Sequence, residues 1–278
     1  MNRRVAVALA AASLLALAGC DGVVGAKMTF DDTEKAKVTD IVLTGGSADV
    51  MVTTGTATET RIKREVRGST DPGPSYELSG AILTLPTDCG RDCHVTYQIE
   101  APAGVAVRGD LSSGDVMLER VGPVDLKLTS GDIGVHGATG PVKIRATSGD
   151  LVVNGAPEVS LECTSGDLTA QEIAGPITAR ASSGDMLLGT SVPASVTATV
   201  SSGNLDVSVP RGSYQVRTDT SSGDESVDPE INDVPNAEHK LDLRTRSGDL
   251  NLMAGLDARP APEAPEGPSA PAAPRSPR

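Results

Sequence analysis

Five aspartates, Asp115, Asp132, Asp150, Asp167 and Asp185, recur at intervals of 17 or 18 residues, each in a Ser-Gly-Asp triplet followed by an apolar residue. If successive triplets stack as neighbouring strands do, the carboxylates form a file spaced about 4.8 Å apart. Like charges so close need relief, and three chemistries supply it. The file, with Asp224 and Asp249, can bind calcium between corners, since that cation takes only oxygen ligands. Each carboxylate can instead accept hydrogen bonds from the amides of its own corner. Neighbouring carboxylates can also form the acid and nucleophile of a polysaccharide-cleaving site. That last chemistry requires two environments that split the pKa values, and repeated corners make the aspartates equivalent. In one unit Asn204 takes the aspartate position; it supplies the hydrogen bond without the charge, which favours the corner role.

The remaining groups with chemical potential are few. Cys89 and Cys93 stand four residues apart in Asp88-Cys-Gly-Arg-Asp-Cys-His94. In an exported chain this spacing predicts a local disulfide. The alternative is a metal site of Cys89, Cys93 and His94, which lacks a second cluster to complete tetrahedral ligation. Cys163 falls in a slot that other repeats fill with Leu, Ala or Val, and is expected to be a small buried hydrophobe. His94, His136 and His239 are the only histidines, and no nucleophile–base–orienter set is evident.

The elements that must position these residues follow from the repeat. The signature's glycines are Gly114, Gly131, Gly149, Gly166, Gly184, Gly203, Gly223 and Gly248, at spacings of 17, 18, 17, 18, 19, 20 and 25. A period this short describes one supersecondary piece that cannot bury its apolar face alone and must stack. Before Gly149, the apolar residues Val142, Ile144 and Ala146 alternate with Lys143, Arg145 and Thr147, the period of a half-buried strand. Val124, Leu126 and Leu128 occupy the same slots one unit earlier, and Val159, Leu161 and Cys163 one unit later. A second strand follows each corner, as in Leu151 and Val153 or Leu168 and Ala170. Proline at the second corner (Pro123, Pro141, Pro157, Pro176) directly or closely precedes the next strand, where its missing donor is tolerated. The expected fold is all-β: a single-stranded parallel β-helix of about 17–20 residues per coil, with right-handed crossovers.

The solenoid is expected to span residues 40–253, with degraded corners at Ser47-Ala-Asp-Val50 and Ser79-Gly-Ala-Ile82. Arg61 to Arg67 reads as a charged edge strand, and the insertion Asp228 to Lys240 as an atypical terminal unit. From residue 254 to 278 the chain turns rich in proline and alanine, a composition that cannot offset ordering entropy.

At the other end, Arg3-Arg4, an apolar run from Val5 to Leu17 and Leu17-Ala-Gly-Cys20 have the form of an export signal too short to span a bilayer. Leu-Ala-Gly-Cys resembles a bacterial lipobox. The resemblance implies cleavage after residue 19, acylation of Cys20, a tether over 20–39, and a location on the outer face of the cytoplasmic membrane. The formal charge is −13 overall. Without Arg3 and Arg4, 22 basic residues face 37 acidic ones, a charge of −15, which repels nucleic acid. Aromatic residues make up 1% of the chain and tryptophan is absent, which disfavours a sugar-stacking cleft or base stacking.

The run Val95-Thr-Tyr-Gln-Ile-Glu-Ala-Pro-Ala-Gly-Val105, followed by serial Ser-Gly-Asp corners, resembles the bacterial putative-adhesin family of β-strand-repeat proteins. That resemblance implies a parallel β-helix, a cell-envelope location and no established enzymatic activity. The expected function is a membrane-anchored, non-enzymatic binding or structural module facing an envelope polymer or surface protein. The alternatives are an accessory protein that docks a membrane sensor through its proline-rich tail and, less favoured, a polysaccharide-active enzyme. No cofactor is expected unless calcium occupies the aspartate file.

Overall fold

Alternation of apolar and polar residues over short runs produces 23 strands and no helix among the described residues of the computed structural model, which are 27–68, 73–90 and 93–255. The export signal, Cys20 and the tail beyond residue 255 lie outside them. The first part of the chain forms β1 (Lys27–Glu34), β2 (Asp40–Gly55), β3 (Thr60–Arg67), β4 (Glu77–Ser79), β5 (Ile82–Pro86) and β6 (His94–Pro102). Regular coils of two strands follow. They are β7 (Ala106–Ser113) with β8 (Val116–Glu119), β9 (Val124–Ser130) with β10 (Ile133–His136), and β11 (Val142–Ser148) with β12 (Leu151–Ala156). Next come β13 (Val159–Ser165) with β14 (Leu168–Ile173), β15 (Ile177–Ser183) with β16 (Met186–Thr190), and β17 (Val196–Ser202) with β18 (Leu205–Val209). The last part forms β19 (Gly212–Ser222), β20 (Glu225–Val227), β21 (Ile231–Asp233), β22 (His239–Ser247) and β23 (Leu250–Ala254).

Two ladders result, joined at the Ser-Gly-Asp corner. The back sheet runs β4, β5, β2, β7, β9, β11, β13, β15, β17, β22, β19, β21. The front sheet runs β1, β3, β6, β2, β8, β10, β12, β14, β16, β18, β23, β20. Strand β2 is long enough to serve both, turning at Gly45-Gly46. Along the regular coils the register repeats, with one irregularity between β14 and β16 past Ala170, so Val124, Val142, Val159, Ile177 and Val196 form one buried file. On the front sheet Val116, Ile133, Leu151, Leu168, Met186 and Leu205 form another. The core is the space between the two sheets, filled by aliphatic side chains from both. This is the stacked parallel solenoid expected from the period.

The two ends depart from simple translation. At the C-terminal end the chain leaves β18, skips one slot to build β19 and β20, and then returns. The last coil, β22 and β23, fills the skipped slot and pairs on both sides. The N-terminal end does the same in reverse, because β2 lies between β5/β6 and β7/β8. The outermost strands are β1 and β4 at one end and β20 and β21 at the other, so no regular coil is itself an open template for edge pairing.

Four details differ from the sequence reading. Residues 27–34, assigned to the tether, form β1. Strand β3 is one place in from the edge, because β1 covers it antiparallel. The pairs β3–β6 and β4–β5 are also antiparallel. Gly80-Ala81, directly after Ser79, is a hairpin turn between β4 and β5, not a coil corner: the same residue types serve both kinds of tight turn.

Candidate functional site

Each Ser-Gly-Asp corner joins a back strand to a front strand, and stacking converts the triplet into three parallel files. Serines pair in register from Ser47 and Ser113 through Ser130, Ser148, Ser165, Ser183 and Ser202 to Ser247 and Ser222. Glycine is required beside them. Gly149 has φ +122°, and a Cβ there would lie 1.9 Å from the Gly131 carbonyl oxygen, so both the backbone angle and the space exclude any side chain.

The aspartates form the expected file, with a hydrogen-bond pattern that runs between coils. The Asp115 carboxylate accepts from the Asp132 amide at 3.0 Å, Asp132 from Asp150 at 2.8 Å, and Asp150 from Asp167 at 2.9 Å. Asp167 accepts from the Asp185 amide at 2.8 Å, and Asp185 from Asn204 at 2.7 Å. The chain continues through Asn204 Oδ1, which accepts from Asp249, and Asp249, which accepts from Asp224. At the other end Asp49 Oδ1 accepts from the Asp115 amide at 3.2 Å, while its Oδ2 lies 2.8 Å from His94 Nε2. The acceptor role expected of each carboxylate holds, but the donor belongs to the next coil and not to its own. These bonds tie coil to coil and relieve the stacked charges.

The arrangement leaves little for a metal. Calcium takes six to eight oxygens, whereas Oδ1 of Asp115, Asp132, Asp150, Asp167 and Asp185 is already engaged by the amide of the next coil. Among the described residues no group of three or more His, Cys, Asp and Glu is placed to hold a metal ion. The carboxylates from Asp115 to Asp185 also share one environment, exposed and amide-bonded. Cys89 and Cys93 are disulfide-bonded, which leaves His94 to pair with Asp49. Cys163 is buried among the aliphatic slots, and burial pushes its thiol pKa up, away from reactivity. His136 is exposed at the end of its strand.

The feature that the sequence reading missed lies beside the aspartate file. On the front sheet, two residues after the aspartates, the outward positions Met51, Met117, Gly134, Val152, Thr169 and Leu187 align in register. Met51, Met117, Val152 and Leu187 are among the exposed large hydrophobic residues. The Met117 thioether lies over Gly134, with Sδ 2.8 Å from where a Cβ would stand, so the stripe has no gap there. Beyond Leu187 the file turns polar at Asp206 and Asn251, which hydrogen-bond each other at 2.8 Å. Strands β8, β10, β12, β14, β16, β18 and β23 contain no lysine or arginine. The back sheet carries the cations instead, paired in cis: Lys127 with Asp110 at 3.7 Å, Arg145 with Glu162 at 3.4 Å, and Arg244 with Asp242 at 2.9 Å. The outward alternation carried the signal in the sequence, because β2, β8, β12 and β16 place Met51, Met117, Val152 and Leu187 at an outward slot.

A two-sheet stack of short parallel coils with Ser-Gly-Asp corners defines the class of protein. The chain belongs to the Toastrack DUF4097 family, whose model matches residues 82–253; β1 to β4 precede that match. In fold it is similar to a putative adhesin from Bacteroides fragilis, at 16% identity and a TM-score of 0.51 over 84% of this chain and 100% of that one. A putative cell adhesion protein from Clostridium sporogenes (10% identity, TM-score 0.31) and a putative adhesin from Parabacteroides merdae (12%, 0.35) overlap 82% and 83% of this chain and 100% and 95% of theirs. No curated protein matches the chain.

Proposed function

We propose that the protein is a non-enzymatic binding module of the bacterial cell envelope, tethered by lipid at Cys20 and presenting its front sheet to a partner. The observation that carries this reading is the register of the front face from Met51 to Leu187, which displays exposed apolar residues two positions after each carboxylate of the file. Monomeric soluble proteins keep contiguous exposed apolar patches small, and larger ones mark interaction sites. The equivalence of the carboxylates supports a display role over a catalytic one. Leu17-Ala-Gly-Cys20, outside the described residues, supports the anchor, and acyl chains at about 0.8 kcal/mol per buried CH₂ would hold the rod at the membrane surface.

Two measurements test the proposal. Growth with a clickable palmitate analogue should label the wild-type chain and not Cys20→Ser, and absence of label in both removes the anchor. The soluble Cys20→Ser chain, immobilised and washed with fractionated envelope polymers and surface proteins, should retain one fraction that the Val152→Ser/Leu187→Ser variant does not. Equal retention by both chains would remove the front face from the function.

A further inference from the structure

We infer that the front face docks a cationic amphipathic helix laid along the rod axis, an inference that rests on the binding-module reading and specifies its partner. Of the exposed large hydrophobic residues among the described ones, Met51, Met117, Val152, Leu187, Val227 and Met253 lie on front-sheet strands and Val234 lies elsewhere. The back sheet has none. The first four stand in one file, with Gly134 under Met117 and Thr169 between Val152 and Leu187, and the aspartate file flanks it at about 7 Å, two residues along each strand. No cation from the front strands of the regular coils neutralises that file. An apolar row bordered by carboxylates that, from Asp115 to Asp185, have no ion-pair partner among the described residues is complementary to a partner with the opposite pattern: an apolar row bordered by lysine or arginine.

The spacing selects the partner's conformation. Successive coils are about 4.8 Å apart, and a helix lying across them presents one turn every 5.4 Å. Over four turns the two fall out of step by about 2 Å, within the reach of long cationic side chains. A strand in the same orientation projects same-face side chains every 6.6–6.8 Å and drifts by about 7 Å over the same length. A depression of about 420 Å³ at one end of the stripe, bordered by Asp49, Met51, Gln98, Asp115, Met117 and Asp132, has room for one apolar anchor. A second copy of the chain is a poorer match, because ion pairs in cis already occupy cations of its back face and the net charge repels it.

The test uses the soluble full chain (Cys20→Ser) and fluorescent peptides of about 18 residues made only of leucine and lysine, one patterned for a helix and one of the same composition patterned for a strand. Anisotropy should show saturable binding of the helical peptide, at least about tenfold tighter than the strand-patterned one, and weakened when salt shortens the screening length. A helical leucine–glutamate peptide should not bind. Asp132→Asn/Asp150→Asn/Asp167→Asn should lose at least about tenfold in affinity with little change in melting midpoint, because Asn204 already makes the same corner bond. Met117→Ser/Val152→Ser/Leu187→Ser should do likewise, and Arg145→Ser/Arg180→Ser on the back sheet should leave binding unchanged. The inference is overturned by equal binding of both leucine–lysine patterns, by undiminished binding to either front-face variant, or by a sedimenting dimer that buries the stripe. Retention of an envelope fraction without peptide binding would sink this inference and spare the proposed function. Peptide binding without any retained fraction would do the opposite.

Discussion

The regular coils and the two ends of the rod are held together by different means. Between β7 and β18 the chain repeats one solution. Inward slots accept Val, Leu, Ile, Met, Ala or Cys, and the corner demands glycine and an amide-bonding aspartate or asparagine. Cohesion comes from the shared aliphatic core, the backbone ladders and the aspartate file. The ends use residues found nowhere else in the fold. Phe30, Tyr76 and Tyr97 lie at the N-terminal end and Tyr214 at the other. Arg64 is fully buried, its guanidinium 6.0 Å from the Phe30 ring centroid and 5.8 Å from that of Tyr97, and it donates to the carbonyls of Gly73 and Pro74. The Tyr97 hydroxyl lies 2.8 Å from the Pro86 carbonyl oxygen, and that of Tyr214 donates to Pro210 at 2.8 Å. A stack buries its middle by repetition, but each end must be plugged once. The scarce large side chains are spent there.

Glycine substitution breaks this contrast most directly. Gly149→Ala combines a forbidden backbone angle with a backbone collision at 1.9 Å, and is expected to cost about 3–5 kcal/mol from strain and overpacking together. Gly80→Ala, in the end hairpin, has φ +64° with nothing within 4 Å, and should cost only about 1–2 kcal/mol. Urea unfolding of both variants checks the pair. Equal losses would mean that the corners of the middle are no more constrained than a surface turn.

The end plugs are sensitive to high pH. Burial pushes the hydroxyls of Tyr97 and Tyr214 up to about 12. Below pH 10 both folded and unfolded chains keep these protons, and the full stability is present. As pH rises from about 10 towards 12 the unfolded chain ionises first, so stability falls by about 1.4 kcal/mol per pH unit for each tyrosine. Tyr97→Phe removes one share of that slope. It should also cost about 1–3 kcal/mol near neutrality by leaving the carbonyls of Pro86 and Ser75 without their partner. Chemical denaturation at pH 8, 10 and 11 separates the two effects, and an unchanged slope in the variant would show that Tyr97 does not carry it.

How much of this was legible in the sequence follows the same division. Inward files such as Val142–Ile144–Ala146 and the stacked aspartates were readable because a fixed period and strand alternation are local patterns. The order of the end coils was not readable. Nothing in the residues of β22 and β23 states that they pair with β17 and β18 on one side and β19 and β20 on the other, because parallel ladders of similar coils accept any neighbour in register. Ser79-Gly80 misled for the complementary reason, since glycine with serine suits a hairpin as well as a coil corner. Among the candidate site residues, the aspartates were identified, but their donors in the next coil are visible only in three dimensions. The Met51–Leu187 stripe was within reach of the alternation, but its slot holds Met, Met, Gly, Val, Thr and Leu in turn, with no fixed residue type to mark it.

The Cys89–Cys93 disulfide belongs to the N-terminal end and closes a short loop beside His94. Its loss through Cys89→Ser/Cys93→Ser should cost about 2 kcal/mol on loop-closure grounds. It should also loosen the His94–Asp49 pair that starts the aspartate file. Two-dimensional NMR of the variant would show shifts confined to residues near Asp49 and Asp115 if the ends are built independently of the middle. Shifts spread to Asp167 and beyond would mean that the file transmits end contacts along the rod.

The smallest effect discriminates most finely between charge and hydrogen bonding in the middle coils. Asp150→Ala removes the acceptor of the Asp167 amide, 2.9 Å away, and should cost about 1 kcal/mol, because that exposed N–H can turn to water. Asp150→Asn keeps the acceptor and removes one charge from the file, so it should change stability by less than about 0.5 kcal/mol. Melting both variants with and without excess calcium adds the remaining comparison. A stabilisation by calcium that is present in the wild type and lost in Asp150→Asn would restore the cation to the file despite its engaged oxygens. The hydrogen-bonded ladder predicts instead that calcium leaves the midpoint of all three proteins unmoved, with alanine alone displaced.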